Sequence, residues 1–155
     1  MPNVSAIRSL FLEPKPLYSL PETAALLGMD APEVQGWMDV GELEGVDGDD
    51  GPGVQWAELV SFGMDLWSQE AVEEALGADL AAVIPDLVRL TDLAVRIPRL
   101  EVVALERVAA RDGTSVDSVL ARELLDFASA NAPWLDGEVP GFLAALAWPE
   151  SGDGV

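Results

Sequence analysis

The chain has 155 residues, 50% of them apolar, and carries 28 acidic against eight basic side chains, with no cysteine and no histidine. Their absence excludes a thiol nucleophile, a Ser-His-Asp triad, a disulfide and an imidazole or thiolate zinc site. No segment has the pattern of a signal peptide or a membrane span, so we expect a cytoplasmic protein. No catalytic constellation is recognisable, so we expect neither an enzyme nor a cofactor or metal site.

The segment from Tyr18 to about Trp67 predicts a helix, a tight turn, a second helix, a loop and a third helix. Ser19 with Glu22 has the pattern of a capping box at a helix start, Asp30 with Glu33 repeats it, and Gly28 is placed to end the first helix. The following stretch, GVDGDDGPGVQW, is too rich in glycine, proline and aspartate for the interior of an element. These signals predict a helix-turn-helix followed by a loop that resembles the tip of a wing.

The residues YSLPETAALLGMDAPEVQGWMDVGELEGV, followed by VQWAELVSF, resemble the MerR/excisionase type of winged helix-turn-helix domain over residues 17–67. DNA-binding members of that family usually carry basic or hydroxyl side chains on the second helix and arginine in the wing. The corresponding stretches here are acidic, with Asp30, Glu33, Asp39, Glu42, Glu44, Asp47, Asp49 and Asp50. Because carboxylates repel the phosphate backbone, the resemblance implies the fold but not a groove contact by this half.

Residues 68–90 predict two further helical pieces and are interpreted as a helical connector. Ser68 is placed as a cap, Gly77 as a break, and Pro85 as a kink or a first turn.

The arginines are concentrated after this connector. Residues 1–88 carry 17 acids against Arg8 and Lys15, whereas residues 89–122 carry six arginines against five acids, and residues 123–155 carry six acids and no base. We therefore expect any nucleic-acid contact to come from the middle of the chain. The alternative is that these arginines only pair with nearby acids.

One short strand is predicted in this middle region, where Leu93, Val95 and Ile97 alternate with other residues up to Pro98. A helix from about Arg99 to Asp112 follows, closed by Gly113, and a capping box from Thr114 to Asp117 begins a second helix. A single strand has no partner in its own chain. Its unpaired backbone groups predict pairing with a second copy.

The sequence LAVRIPRLEVVALERVAARDGTSVDSVLARELLDFA resembles the ribbon-helix-helix family of bacterial repressors and antitoxins, the Arc and MetJ type, over residues 91–131. In that family two chains pair their strands into an antiparallel ribbon that enters the major groove. The resemblance implies an obligate homodimer whose contacts come from Leu93, Val95, Ile97, Val119, Leu120, Leu124 and Phe127. It implies DNA contacts from Asp92, Ala94, Arg96, Arg99, Thr114 and Ser115.

These DNA-contacting positions differ in what they offer. Arg96 is suited to a bidentate contact with guanine, Asp92 accepts only from cytosine N4, and Ala94 suits a thymine methyl group. The helix start at Thr114 and Ser115 would present backbone N–H groups to a phosphate, although nearby acids weaken that site.

Residues 132–155 are predicted to form an acidic, aromatic tail with one helix from Gly141 to Trp148. One interpretation is that the tail folds back over the core. The other is that Trp134, Phe142 and Trp148 bind a partner protein, as a helix that enters a groove.

The sequence thus predicts a mainly α protein, with a winged helix-turn-helix domain and a ribbon-helix-helix domain whose short strand pairs between two chains. Its predicted role is that of a dimeric bacterial DNA-binding transcription regulator of antitoxin type. The ribbon would bind operator DNA, and the acidic surface would bind a basic partner such as a cognate toxin. The alternative is an interaction adaptor or toxin-neutralising protein that has lost DNA binding.

Overall fold

The computed structural model of the chain describes residues 2–150. It is mainly α-helical with a small antiparallel sheet, which confirms the predicted fold class at this level. The described residues divide into two compact units, one formed by residues 2–90 with 147–150 and the other by residues 91–146.

The first unit contains helices and three short strands. In chain order, its elements are α1 (Val4–Leu12), β1 (Leu17–Ser19), α2 (Leu20–Leu27), α3 (Ala31–Asp39), β2 (Val46–Gly48), β3 (Gly51–Gln55), α4 (Trp56–Trp67), α5 (Gln69–Leu76) and α6 (Leu80–Val83). Single 3₁₀ turns at Gly77–Asp79 and Asp86–Val88 flank α6.

Local sequence fixes the starts of α2 and α3. The Ser19 hydroxyl accepts a hydrogen bond from the Glu22 backbone N–H, and the Glu22 carboxylate accepts one from the Ser19 backbone N–H. Asp30 and Glu33 exchange the same two bonds, so both predicted capping boxes are confirmed. Gly28 ends α2 in the left-handed conformation, with φ of 69°. The two helices are therefore joined by a tight turn.

The sheet has the strand order β1-β3-β2, and both pairings are antiparallel. Tyr18 lies opposite Val54, and Val46 lies opposite Gly53. A Cβ on Gly53 would stand 2.7 Å from the Tyr18 carbonyl oxygen, so only glycine fits there without displacing the strand. The stretch predicted to be a wing is thus a hairpin, and its second strand is anchored to β1.

The core of the first unit extends beyond residues 17–67. Helix α1, which the sequence analysis did not assign, buries Ile7 and Leu10 completely. The region interpreted as a connector buries Val72, Leu76 and Ile84 in the same core. Residues 68–90 are therefore part of this unit.

Arg8 ties α1 to the end of α5. Its guanidinium donates hydrogen bonds to the carbonyl oxygens of Ala75 at 3.1 Å and Leu76 at 3.2 Å, and it pairs with the Asp79 carboxylate at 2.5 Å. These carbonyls belong to the last turn of a helix, where no intrahelical donor is available. One side chain therefore satisfies the exposed end of α5 and fixes α1 against it.

The second unit contains α7 (Arg99–Asp112), α8 (Val116–Glu138) and α9 (Phe142–Leu146). Helix α7 begins and ends where the sequence predicts, and Gly113 follows it in the left-handed conformation, with φ of 66°. Helix α8 differs from the prediction, because it continues through Pro133 for six residues beyond the proposed start of a tail at residue 132. Pro133 removes one backbone donor, but Ala132 beside it is buried, and packing of this turn maintains the helix.

The turn between α7 and α8 corrects the predicted capping box at Thr114. The Thr114 backbone N–H donates to the Ala109 carbonyl at 3.0 Å and so completes the end of α7. Ser115 is the N-cap of α8, and its hydroxyl accepts the Ser118 backbone N–H at 3.1 Å. The sequence analysis placed the cap one residue too early because Thr114 and Ser115 both suit a cap. The Thr114 backbone N–H is instead used to complete the end of α7.

Candidate nucleic-acid interface and dimer surface

Residues 91–98 form neither a helix nor a strand in the single chain, and every side chain in this segment is exposed. Leu93 is 76% exposed, Val95 54% and Ile97 38%. Within residues 2–150, no backbone hydrogen bond joins residues 92–97 to another segment. Pairing with a second copy stays a prediction. It depends on exposed apolar side chains and unpaired backbone groups, and this segment has both.

The apolar face of α8 is partly packed and partly open. Val119 is buried on α8, which packs against α7, and Leu120 is half-buried. Further along the helix, Leu124 is 48% exposed and Phe127 is 65% exposed. The residues predicted to form the dimer contact are therefore mostly uncovered in one chain.

Two arginines of the second unit are paired with Asp112. Arg111 donates a hydrogen bond to this carboxylate at 2.8 Å, and a guanidinium nitrogen of Arg122 lies 3.6 Å from its other oxygen. The hydrogen bond from Arg111 holds the pKa of Asp112 below its usual range. The alternative that the arginines pair with nearby acids is therefore correct for Arg111 and Arg122, and also for Arg89, which pairs with Asp86.

Three other arginines have no such partner. Arg96, Arg99 and Arg107 are exposed and form no salt bridge within the described part of the chain. The sequence analysis named Arg96 and Arg99 but missed Arg107. Arg99 and Arg107 are eight residues apart on α7, which places them within about 80° of each other around the helix. This spacing relative to Arg99 was the sequence signal that could have identified Arg107.

The residues predicted to contact bases lie together at the start of the second unit. Asp92, Ala94 and Arg96 are exposed in the extended segment, and Arg99 is the first residue of α7. One exposed stretch therefore carries two unpaired cations and one carboxylate.

The start of α8 offers fewer free hydrogen-bond donors to a phosphate than the sequence suggests. The Thr114 N–H is used at the end of α7, and the Ser115 hydroxyl is used as the cap. The backbone N–H groups of Val116 and Asp117 are the donors that this helix start leaves for an anion. The carboxylate of Asp117 opposes an anion at the same position.

Helix α3 and the β2–β3 hairpin present an uncompensated acidic surface. Its exposed carboxylates include those of Glu33, Asp39, Asp47, Asp49 and Asp50. The basic residues of this unit are paired elsewhere, as Arg8–Asp79, Lys15–Glu22 and Arg89–Asp86. Such a surface repels a DNA duplex and attracts a basic protein.

The structure does not bring the three predicted partner-binding aromatics together on one unit. Trp134 is on α8 and is 66% exposed, and Phe142 is half-buried at the start of α9. Trp148 belongs to the first unit, where its ring stacks on Phe11 with centroids 6.5 Å apart and 20° between the planes. Folding back over the core is therefore the observed arrangement for Trp148.

Within residues 2–150, no helix combines the length and apolar character that a membrane crossing requires, and no three carboxylates converge as a metal site would need. Comparison with known proteins finds no matching family model, no similar curated protein and no matching solved structure.

Proposed function

We propose that the chain is a dimeric DNA-binding transcription regulator of antitoxin type. The observation that carries this proposal is the exposed, alternating apolar segment at residues 92–97, which has no partner strand within the described residues. Pairing this segment with its copy would satisfy the backbone groups and cover Leu93, Val95 and Ile97. The paired strands would form a ribbon of the size that the major groove accepts.

In this proposal the ribbon reads operator DNA mainly through Arg96. Its guanidinium is exposed and unpaired, so binding guanine would not require breaking an existing ion pair. Arg99, at the start of α7, and the open N–H groups at the start of α8 would contact phosphates. Asp92 disfavours most bases at its own position and so would contribute to specificity rather than affinity.

The acidic first unit has a different role in this proposal. Residues 1–90 carry 17 acids against three bases, and the described bases of that unit are all in ion pairs. A field of this sign speeds association with a basic protein. We propose that this unit binds a basic partner that itself handles nucleic acid, such as a cognate toxin.

A second candidate is an adaptor or toxin-neutralising protein that no longer binds DNA. Asp92 within the ribbon segment and the acids on α3 and the hairpin favour this alternative, because they oppose phosphate. The two candidates share the dimer and the basic partner. They differ only in whether the ribbon binds DNA.

Binding to the DNA immediately upstream of the gene, measured at two salt concentrations, distinguishes these candidates. The regulator predicts sequence-selective binding that weakens as salt rises, and Arg96→Ala should cost about 1–3 kcal/mol and relax the sequence preference. Arg122→Ala is the matched control, because Arg122 pairs with Asp112. Glu33→Ala or Asp39→Ala should leave binding equal or stronger. No selective binding at either salt concentration would favour the adaptor.

A further inference from the structure

An apolar groove lies in the first unit, between the ends of α2 and α4 and the start of α1. Its volume is about 480 Å³, and its lining includes Leu26, Met29, Leu66 and Trp67. We call it the α2–α4 groove. Its volume lies within the range that protein pockets use for ligands, so the groove has room for a large apolar side chain of another molecule.

Apolar side chains extend this groove onto α3. Leu66 is 44% exposed, and it lies one helical turn after Phe62 on α4. The Phe62 ring meets the ring of Trp37 on α3 edge to face, with centroids 5.7 Å apart, and Trp37 is 41% exposed. Leu66, Phe62 and Trp37 therefore continue the apolar lining from the groove to the surface of α3.

The same face of α3 contains a glycine that no contact among the described residues explains. Glu33, Gly36, Trp37 and Val40 lie at i, i+3, i+4 and i+7, on one side of the helix. Glycine in a helix interior is less favourable than alanine, yet a Cβ on Gly36 would have no heavy atom within 4 Å. The space above Gly36 is open, so a second helix could cross α3 there with its backbone close to that of α3.

The end of α4, beside the groove, lacks a hydrogen-bonded cap within the described residues. Ser68 follows the helix with φ of 68° and ψ of 145°, and its backbone N–H forms no bond back to α4. No basic residue lies in the last turn. The last carbonyl groups of α4 carry the negative end of the helix dipole, so they attract a cation from outside.

The other end of this unit shows how a cation completes such a helix. Arg8 donates to the last carbonyls of α5 and pairs with Asp79. At the end of α4 the corresponding carboxylate is that of Asp65, which is exposed and forms no salt bridge within residues 2–150. Asp30 and Glu33, at the start of α3, add further negative charge. An arginine or lysine from another molecule would thus find carbonyl and carboxylate acceptors next to an apolar groove.

We propose that the α2–α4 groove and the adjoining face of α3 bind an amphipathic helix of a basic partner protein. An apolar side chain of that helix enters the groove, the helix crosses α3 at Gly36, and an arginine or lysine completes the end of α4. Charge determines this choice of occupant, because a second copy of this chain would bring its own acids against Asp30, Glu33 and Asp65. The proposal rests on the proposed binding of a basic partner by the first unit, and it assigns the surface that this partner contacts.

Binding of two synthetic peptides to the full-length chain tests this inference, with fluorescence anisotropy as the readout. One peptide, of leucine and lysine only, has about five helical turns with its leucines on one face. The other has the same composition in an order that spreads the leucines around the helix. Both carry the same charge, but only the first offers an apolar face. We expect this amphipathic peptide to bind at least about tenfold more tightly.

Replacing Trp37 locates the peptide on the proposed surface. Trp37→Ala should raise the dissociation constant of the amphipathic peptide at least about tenfold, as expected for a central aromatic of an interface. Leu87→Ala is the matched control, since Leu87 is 50% exposed in the same unit but does not line the groove. It should leave the constant unchanged. Asp65→Asn should weaken binding more than Asp50→Asn, which removes the same charge from the β2–β3 hairpin.

Gly36→Ala keeps the test decisive if Trp37→Ala impairs folding. Alanine at this helical position should raise the melting temperature, because the added Cβ meets no other group within the chain. It should also weaken binding of the amphipathic peptide severalfold, because the methyl group stands where the peptide helix crosses. Gly137→Ala on α8, where a Cβ likewise meets nothing within 4 Å, is the control that should not change binding.

The outcomes separate this inference from the proposed function. Equal affinity of the two peptides, or a tighter amphipathic peptide that Trp37→Ala and Gly36→Ala do not weaken, would overturn the groove and leave the acidic attraction standing. Failure of both peptides to bind at low salt would overturn the basic-partner role as well. Tighter binding of the amphipathic peptide, weakened by Trp37→Ala and Gly36→Ala but not by Leu87→Ala, would support the inference.

Discussion

Glu22 is part of the cap of α2 and also pairs with Lys15, which precedes β1. Its carboxylate accepts hydrogen bonds from the Lys15 ammonium at 2.5 Å and from the Ser19 backbone N–H at 2.9 Å. The Lys15 ammonium, followed by the Ser19 N–H and hydroxyl, lowers the pKa of Glu22 to about 2. The charged form is therefore the one that stabilises the fold, although exposure of this pair to solvent limits the effect.

We expect Glu22→Gln to lower the free energy of unfolding near neutral pH by less than about 1 kcal/mol. A depressed folded pKa gives stability that is present above the unfolded pKa of about 4.3 and is lost as the pH falls toward 2. The difference between parent and variant should thus shrink over that range in chemical denaturation. Glu42→Gln, at an exposed position outside the capping box, is the control. A difference that does not change with pH would contradict the account.

Trp148 packs against the first-unit core, whereas Trp134 is open. Trp148→Ala should therefore lower the free energy of unfolding by about 1–3 kcal/mol, with Val40→Ala, at a side chain of the same unit that is 69% exposed, as the control. Thermal and chemical denaturation of the two variants, under conditions that keep the oligomeric state constant, measure the effect. If Trp148→Ala left stability unchanged but weakened the binding of a partner protein, the packing role of Trp148 would be refuted.

Elements whose signals are local were predictable from the sequence. The two capping boxes before α2 and α3, and the glycine after α7, act within a few residues, and all three are found where the sequence places them. Elements whose formation depends on packing were not predictable from the sequence. Helix α1 has one short apolar face, which becomes informative only when Ile7 and Leu10 meet the rest of the core.

Helix α8, in contrast, is longer than its local sequence signals predict. Pro133 and Gly137 are local signals for a helix end, yet the helix continues to Glu138 because tertiary contacts outweigh them. The candidate site was predictable as a set of residues in 92–115, since their alternation and charge are sequence properties. Which arginines are free was not predictable, because Asp112 selects Arg111 and Arg122 through the geometry of the α7–α8 turn.

Ile97 lies in the exposed segment that is proposed to pair between two copies. Ile97→Asp would place a carboxylate in the proposed strand pair, close to the same introduced carboxylate of the second copy. We expect the variant to be aggregated or largely unfolded in its second unit, measured by circular dichroism and light scattering. Asp92→Asn removes a charge from the same segment and should leave the protein folded. A well-folded Ile97→Asp protein of unchanged mass would contradict a contact at this position.

For the molecule as a whole, the two units carry very different charge. Residues 1–90 hold 17 acids against three bases, whereas residues 91–146 hold nine acids against five bases. The charge of the first unit strongly disfavours DNA, whereas the second unit has a smaller acidic excess and carries the unpaired Arg96, Arg99 and Arg107. Under the proposal, operator DNA would therefore bind the second unit and a basic partner the first. This separation agrees with the proposal that one chain binds both.

The association rate with a basic partner should fall steeply with added salt, because surface charges separated by more than about 8 Å are screened at physiological ionic strength. Reversing acids on α3 and the hairpin, as in Asp39→Lys with Asp49→Lys, should slow association further. Reversing Glu123 and Asp126 on α8 is the control for net charge. Equal effects of the two pairs in stopped-flow or surface-binding kinetics would show that net charge alone, and not the acidic surface of the first unit, determines the rate.

The mass of the intact chain in solution tests the central claim most directly. Sedimentation equilibrium at micromolar concentration should give twice the mass of the 16.4 kDa chain, because the proposed dimer would cover the segment at residues 92–97 and the open face of α8, both of which are exposed in the single chain. A stable, well-folded monomer under the same conditions would contradict the ribbon, the dimer and the DNA-binding role derived from them.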